Sequence, residues 1–118
     1  MARHNDLGEE GEIIAQHFIE KKGFKILDCN WRYLQYEVDI IARDEKKIIF
    51  IEVKTRSTYR YGFPDESVTP KKEKTLVEAA EIYLEQKNYS NEVRFDVISV
   101  VKNETEEKIY HIEDAFQG

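Results

Sequence analysis

The sequence has one cysteine, two prolines and five glycines in 118 residues, and each scarcity closes off a class of protein. A lone Cys29 cannot form an internal disulfide or a Cys-based zinc site, so it reads as a small, reduced, partly buried residue without a redox role. With so few prolines and glycines there is no linker, no low-complexity stretch and no internal repeat, and residues 1–118 read as a single domain. Long apolar runs are missing as well. The longest is Ile48-Ile49-Phe50-Ile51, against the roughly 18–20 residues needed to cross a bilayer. Met1 to Asp6 leads into no secretory apolar region, so a cytoplasmic location is expected. The three histidines, His4, His17 and His111, lack the spacing of a metal pair. No Gly-x-Gly-x-x-Gly or Gly-x-x-x-x-Gly-Lys is present, which argues against a nucleotide cofactor. Positive charge is in deficit: 18 Lys and Arg face 24 Asp and Glu, for a formal charge of −6. That is a poor basis for generic binding to a polyanion.

What is present is enough to build a core. The chain is 41% hydrophobic, with seven Tyr, six Phe and one Trp spread along it, and folding should bury about two-thirds of the unfolded surface. Asn5 or Asp6 caps a first helix with the apolar side Leu7, Ile14, Ala15, Phe18 and Ile19, and Gly23 stops it. Strands follow over residues 24–28, 38–43 and 47–54, the last two joined as a hairpin through Asp44 to Lys47. Residues 57–67 have no period of two or 3.6 and read as a loop. Thr69 then caps and Pro70 opens a second helix with the stripe Leu76, Val77, Ala80, Tyr83 and Leu84. Two further strands are expected over 93–101 and 108–112. The order α-β-β-β-α-β-β gives an α/β sandwich with a mixed sheet.

Glu-x-Lys occurs five times, so the tripeptide alone says little; four copies fall on polar helix faces or turns. Glu52-Val53-Lys54 is different because it ends the most apolar strand. Alternation puts Glu52 and Lys54 on one face with Phe50, and Val53 on the other with Ile49 and Ile51. A hairpin turn centred between Glu45 and Lys46 sets Asp39, itself an acid within the apolar strand Val38-Asp39-Ile40-Ile41, directly across from Glu52. Opposed carboxylates repel unless a cation or a proton lies between them. Lys54 could be that cation, and two acids with a nearby lysine also suit a hard divalent ion, Mg²⁺ or Mn²⁺, that keeps several waters. Glu12, at the edge of the first helix's buried stripe, is either a third acid of the site or an ordinary acid complementing the helix dipole. Glu37 is either a further ligand or a solvated strand end, with the balance toward the strand end. Arg94 and Asp96, on one face of the fourth strand, read as a structural pair.

Tyr36-Glu37-Val38-Asp39-Ile40-Ile41-Ala42-Arg43, followed by Phe50-Ile51-Glu52-Val53-Lys54-Thr55-Arg56, resembles the core of the YraN-like bacterial proteins, an uncharacterised family with an endonuclease description. The likeness runs on through Gly11-Glu12 and Ala15, Asn30 and Arg32, Gly62, Val68 and Lys72, Arg94-Phe95-Asp96-Val97 and Asp114-Ala115-Phe116. That family is similar in turn to the restriction-endonuclease-like superfamily, including archaeal Holliday-junction resolvases, whose sites use an acid, then Asp, then Glu-x-Lys on adjoining elements. The resemblance implies a restriction-endonuclease-like fold with Glu12, Asp39, Glu52 and Lys54 at the matching positions, and, by analogy with resolvases, a homodimer. Tyr36 stands where these relatives commonly carry Gly.

The stretch from Lys54 to Lys74 carries a local charge of +3, against −9 for the rest of the chain. Arg56, Arg60, Lys71, Lys72 and Lys74 supply it beside Lys54, and Tyr59, Tyr61 and Phe63 are interleaved as groups able to stack on unpaired bases. Lys72, one turn before Leu76, is placed to point toward the sheet. The expected function is metal-dependent hydrolysis of phosphodiester bonds in DNA, in branched or single-stranded forms. Asp39, Glu52 and Glu12 would hold the metal, the Val53 carbonyl would complete its shell, and Lys54 would stand near the attacking water. The competing expectations are a non-catalytic nucleic-acid-binding module and an acidic protein-interaction domain on the same fold.

Overall fold

The computed structural model describes residues 6–58 and 68–118. Its elements follow the expected order: α1 (Asp6–Lys21), β1 (Lys25–Tyr33), β2 (Tyr36–Asp44), β3 (Lys47–Arg56), α2 (Pro70–Lys87), β4 (Glu92–Lys102) and β5 (Glu107–Phe116). The five strands form one mixed sheet in sequence order. Only β3 and β4 run parallel, and the α2 crossover supplies the long connection that parallel neighbours require.

The two helices cover opposite faces. Ala15 and Ile19 of α1 pack on Ile40, Ala42, Ile49, Ile51, Ile98 and Val100. Leu76, Ala79, Ala80 and Tyr83 of α2 pack on Val38, Ile41, Ile48, Phe50 and Phe95. A strand buried on both sides has no polar face to alternate with, which is why residues 48–51 are uniformly apolar. Local chemistry sets the helix ends. Thr69 Oγ1 accepts the Lys72 N–H at 3.2 Å, Pro70 occupies the first turn, and Asn88, in the left-handed region, closes α2. Gly23 turns the chain out of α1 at φ 98°. Asn5 lies outside the described residues.

Gly11 sets how closely α1 approaches the sheet. A Cβ at this position would fall on the side chain of Thr55 near the end of β3. The missing side chain therefore lets α1 sit against the end of the strand that carries Glu52 and Lys54.

Both edge strands are longer than expected and both are irregular. In β1 an extra residue separates the pairs Ile26↔Ala42 and Asp28↔Ile41, and Asn30 is left-handed at φ 52°. In β5 the pairing shifts between Phe95↔Phe116 and Val97↔Ile112, with Asp114 at φ 56°. Cys29, on the edge strand β1, is exposed rather than partly buried, because an edge has no further strand to cover it. The β5 irregularity is held by Asp96, whose carboxylate is buried. It accepts from Arg94 Nε and Nη2 at 2.9 Å each and from the Asp114 N–H at 3.0 Å. His111 Nε2 lies 2.8 Å from the same carboxylate, and Lys22 Nζ lies 2.8 Å from Nδ1 on the far side of the ring. Burial by itself would raise the Asp96 pKa, but these donors and the Arg94 charge hold it below the ordinary range. The expected Arg94–Asp96 pair is thus structural.

Two stability effects follow, each read by urea denaturation. Gly11→Ala should cost about 1–3 kcal/mol by overpacking, and Thr55→Ala in the same chain should recover part of the loss. Asp96→Ala should cost about 3–5 kcal/mol, because it strands the mostly buried Arg94 charge.

Candidate active site

The β2–β3 hairpin places the first two acids. Its turn brings Asp44 opposite Lys47, and the register is the expected one through Ile40↔Ile51, where the pairing ends. Asp39 and Glu52 are therefore not a ladder pair, and the expectation of directly opposed carboxylates is corrected. The cause lies in β2 itself. Val38 belongs to the α2 side and Ile40 to the α1 side, so the alternation of faces breaks at Asp39. Its carboxylate instead turns toward β3, and Oδ2 accepts the Val53 N–H at 2.8 Å. The side chain supplies the acceptor that the ended ladder no longer offers.

Glu52 stays on the α2 side, as alternation requires. Its partner is Lys72, in the first turn of α2, with Nζ 3.8 Å from Oε1. Lys72, counted with the nucleic-acid surface but spaced to point toward the sheet and the site, lies beside Glu52 and within electrostatic reach of Asp39. The capped, Pro-opened start of α2 is the local signal that fixes its position. Lys54 follows Glu52 on the same strand face and also lowers the Glu52 pKa through its charge.

The third acid comes from α1. Glu12, one residue after the close contact at Gly11, is half-buried, interacts with Asp39 and is hydrogen-bonded by the Asn30 side chain. Glu37 is tied to Arg32 at 2.8 Å in a largely exposed pair, as fits a solvated strand end. Tyr36 turns away toward α2 and donates to Glu78 Oε1 at 3.0 Å, so its bulk joins β2 to α2. A cleft of about 410 Å³ opens beside Glu12, lined also by Gly8, Glu9, Asn30, Arg32 and Glu37.

The electrostatics of these acids differ from those of Asp96. Burial is the largest effect on Glu12, Asp39 and Glu52, and it raises the pKa of all three. The Asp39 charge raises Glu12 and Glu52 further, while Lys72 only partly offsets the rise at Asp39 and Glu52. Asp96 is buried and supplied with donors on every side; Asp39 is half-buried with one backbone donor. Half-buried negative charge of this kind is relieved by a cation or a proton. The side-chain donors gathered here are all oxygen, the set a hard divalent ion prefers. Among the described residues no group of three or more His, Cys, Asp and Glu is placed to hold a metal ion, so Glu12, Asp39 and Glu52 are not gathered as one three-acid ligand set. Mg²⁺ needs no such set, since it binds through one or two carboxylates and keeps its waters.

The remaining residues of the expected nucleic-acid surface divide in two. Lys71 and Lys74 are exposed on the first turns of α2, and Arg56 is half-buried at the end of β3. Tyr59, Arg60, Tyr61, Gly62 and Phe63 lie outside the described residues. No described helix is long and apolar enough to cross a membrane.

Comparison with known proteins places this arrangement in a family. The uncharacterised protein family UPF0102 matches residues 11–100, a span that holds Glu12, Asp39, Glu52, Lys54 and Lys72. The chain belongs to this family. It is the YraN-like family that the sequence resembles. A UPF0102 protein of Flavobacterium psychrophilum is 46% identical over 98% of both chains, and one of Christiangramia forsetii is 47% identical over the same shares. A UPF0102 protein of Syntrophomonas wolfei is 40% identical over 96% of this chain and 99% of its own.

The raised pKa values carry a pH dependence. Each carboxyl binds its proton more tightly in the folded state, so the stability it contributes is full below the unfolded carboxylate range, about pH 4. That contribution is lost as pH rises through the folded value. Asp39→Asn keeps an acceptor for Val53 and removes the charge. It should melt above wild type at pH 7, with the difference closing toward pH 4. Asp39→Ala should instead lose about 1–3 kcal/mol of the gain by leaving the Val53 N–H unpaired. Calorimetric scans of the three proteins across that range check both.

Proposed function

We propose that this UPF0102 protein is a metal-dependent endonuclease acting on DNA. The observation that carries the reading is the set of three half-buried carboxylates, Glu12, Asp39 and Glu52, whose charge Lys72 only partly offsets. Asp39 and Glu52 would hold Mg²⁺ or Mn²⁺, with Glu12 anchoring a water or a second ion. A bound divalent ion would polarise the scissile phosphate and acidify a water.

The chain's own residues account for the rest. The Val53 N–H holds the Asp39 carboxylate in one orientation, so no side-chain freedom is lost when substrate arrives. Lys54, on the strand face of Glu52, is placed to orient a water or to neutralise charge growing on the phosphorane. Lys72, 3.8 Å from Glu52, adds a second positive charge on the α2 side. Exposed Lys71 and Lys74 extend that charge along the start of α2, where phosphates of a bound strand would lie.

Incubation of linear, flapped and four-way DNA with Mg²⁺ or Mn²⁺ tests the reading. Cleavage should fall by about 10²-fold or more in Asp39→Ala and in Lys54→Ala; equal cleavage by these variants would place the chemistry elsewhere. Titration calorimetry with Mn²⁺ should show binding to wild type that is lost in Glu52→Ala. Salt-sensitive DNA binding without turnover, unchanged in Asp39→Asn, would instead mark a non-catalytic nucleic-acid-binding module.

A further inference from the structure

The tip of the β1–β2 hairpin carries a side chain that the fold does not use. Tyr33 pairs with Tyr36 across a two-residue turn made by Leu34 and Gln35. Leu34 is 80% exposed, the most exposed large hydrophobic among the described residues. It is also left-handed, at φ 53°, a conformation that costs a branched side chain energy and that Gly or Asn would adopt more easily. Leu34 thus buries almost nothing and strains the backbone. The two-residue turn imposes that φ: Glu45, at the same place in the β2–β3 turn, has φ 57°.

The hairpin beneath the tip is fastened to the rest of the fold. The Trp31 and Tyr33 rings stack at 6.4 Å with an interplanar angle of 16°, and Trp31 meets Tyr83 of α2 edge-on at 5.6 Å. On the other strand Tyr36 is bonded to Glu78 of α2. An aromatic base fastened to a helix therefore presents one aliphatic group outward. The hairpin also leads into the candidate site: Arg32 and Glu37 at its base line the cleft beside Glu12, and Asp39 lies on the same strand as Tyr36. The Arg32 side chain, paired with Glu37 at 2.8 Å, is 72% exposed two residues before Leu34.

We infer that Leu34 is a wedge that enters a base step of duplex DNA and unstacks it, so that the preferred substrate is a duplex with a weakened step, at a branch point or mismatch. The inference rests on the nuclease reading for the cutting event alone. Aliphatic side chains inserted between base steps kink a duplex in this way, and a branch or mismatch lowers the cost of unstacking. Geometry adds a distance. Three to five residues of strand, at about 3.3 Å each, separate the tip from Asp39. With about 3.4 Å of duplex axis per phosphate of one strand, scission should fall about three to five nucleotides from the unstacked step.

Unstacking is measured apart from cleavage by placing 2-aminopurine at successive positions of a four-way junction, a mismatched duplex and a matched duplex. The protein is titrated in EDTA to saturation, with binding followed by anisotropy. Wild type should raise the fluorescence by about two-fold or more at one position of the junction or mismatch. Leu34→Ser and Leu34→Gly should abolish the rise, and Leu34→Met should keep it. Leu34→Gly should melt no lower than wild type, since it relieves the left-handed leucine; a lower melting temperature would show that Leu34 serves the fold and would overturn the wedge. With Mg²⁺ present, Leu34→Ser should cut the junction at least about ten-fold more slowly and single strands at the wild-type rate. Cleavage by wild type with no fluorescence rise would overturn the wedge and leave the nuclease; a rise without cleavage would do the reverse. Failure to bind any of the three DNAs, or conversion of a dimer to a monomer by Leu34→Ser, would overturn the wedge by assigning the tip to another role.

Discussion

The bond from the Val53 N–H to Asp39 holds the candidate site together. Where the β2–β3 ladder ends, a backbone donor inside the protein needs an acceptor, and the side chain that provides it is an acid. The carboxylate is thereby held between two others, Glu12 on the helix at one face and Glu52 toward the opposite face. Asp96 solves the same kind of problem in β5, where it takes the Asp114 N–H. The difference lies in what else arrives. Asp96 gathers a guanidinium and an imidazole and becomes an inert strut. Asp39 gathers other acids and stays short of positive charge.

Each helix contributes by its first turns. α1 reaches the sheet only because Gly11 has no side chain to meet Thr55, and that approach carries Glu12 with it. α2 begins at the Thr69 cap, which sets Lys72 over Glu52. The backbone groups at both helix starts bear partial positive charge, which is favourable beside ionised acids.

Much of this is written in local patterns. Glu-x-Lys became informative only because one copy ends a strand that is apolar on both faces, and the two-residue turn at Glu45 and Lys46 carried the register as far as Ile40. It failed at the next residue. Val38, Asp39 and Ile40 show no feature by which a break in face alternation could be read, because a local departure from the strand's period of two leaves no mark in the residue types. The short readings of β1 and β5 have the same origin: both strands continue past a left-handed residue, Asn30 or Asp114, where a period-two pattern is lost although pairing is not. Lys72 was legible as an inward-facing lysine from its spacing to Leu76. Its partner was not, because Glu52 and Lys72 meet only across the crossover. His111 offered no signal at all, since its role depends on the bulge that brings β5 over Asp96.

Those same irregular edges have a bearing on how the molecule behaves in a crowded solution. A sheet whose strands lie in chain order ends in two open borders, each an invitation to an unrelated strand from a neighbouring molecule. Here a register shift of one residue in β1 and two in β5, each with a left-handed kink, interrupts the borders, so no long flat row of donors and acceptors is offered to a newcomer. The departures from regular pairing therefore act as guards against fibrous self-association.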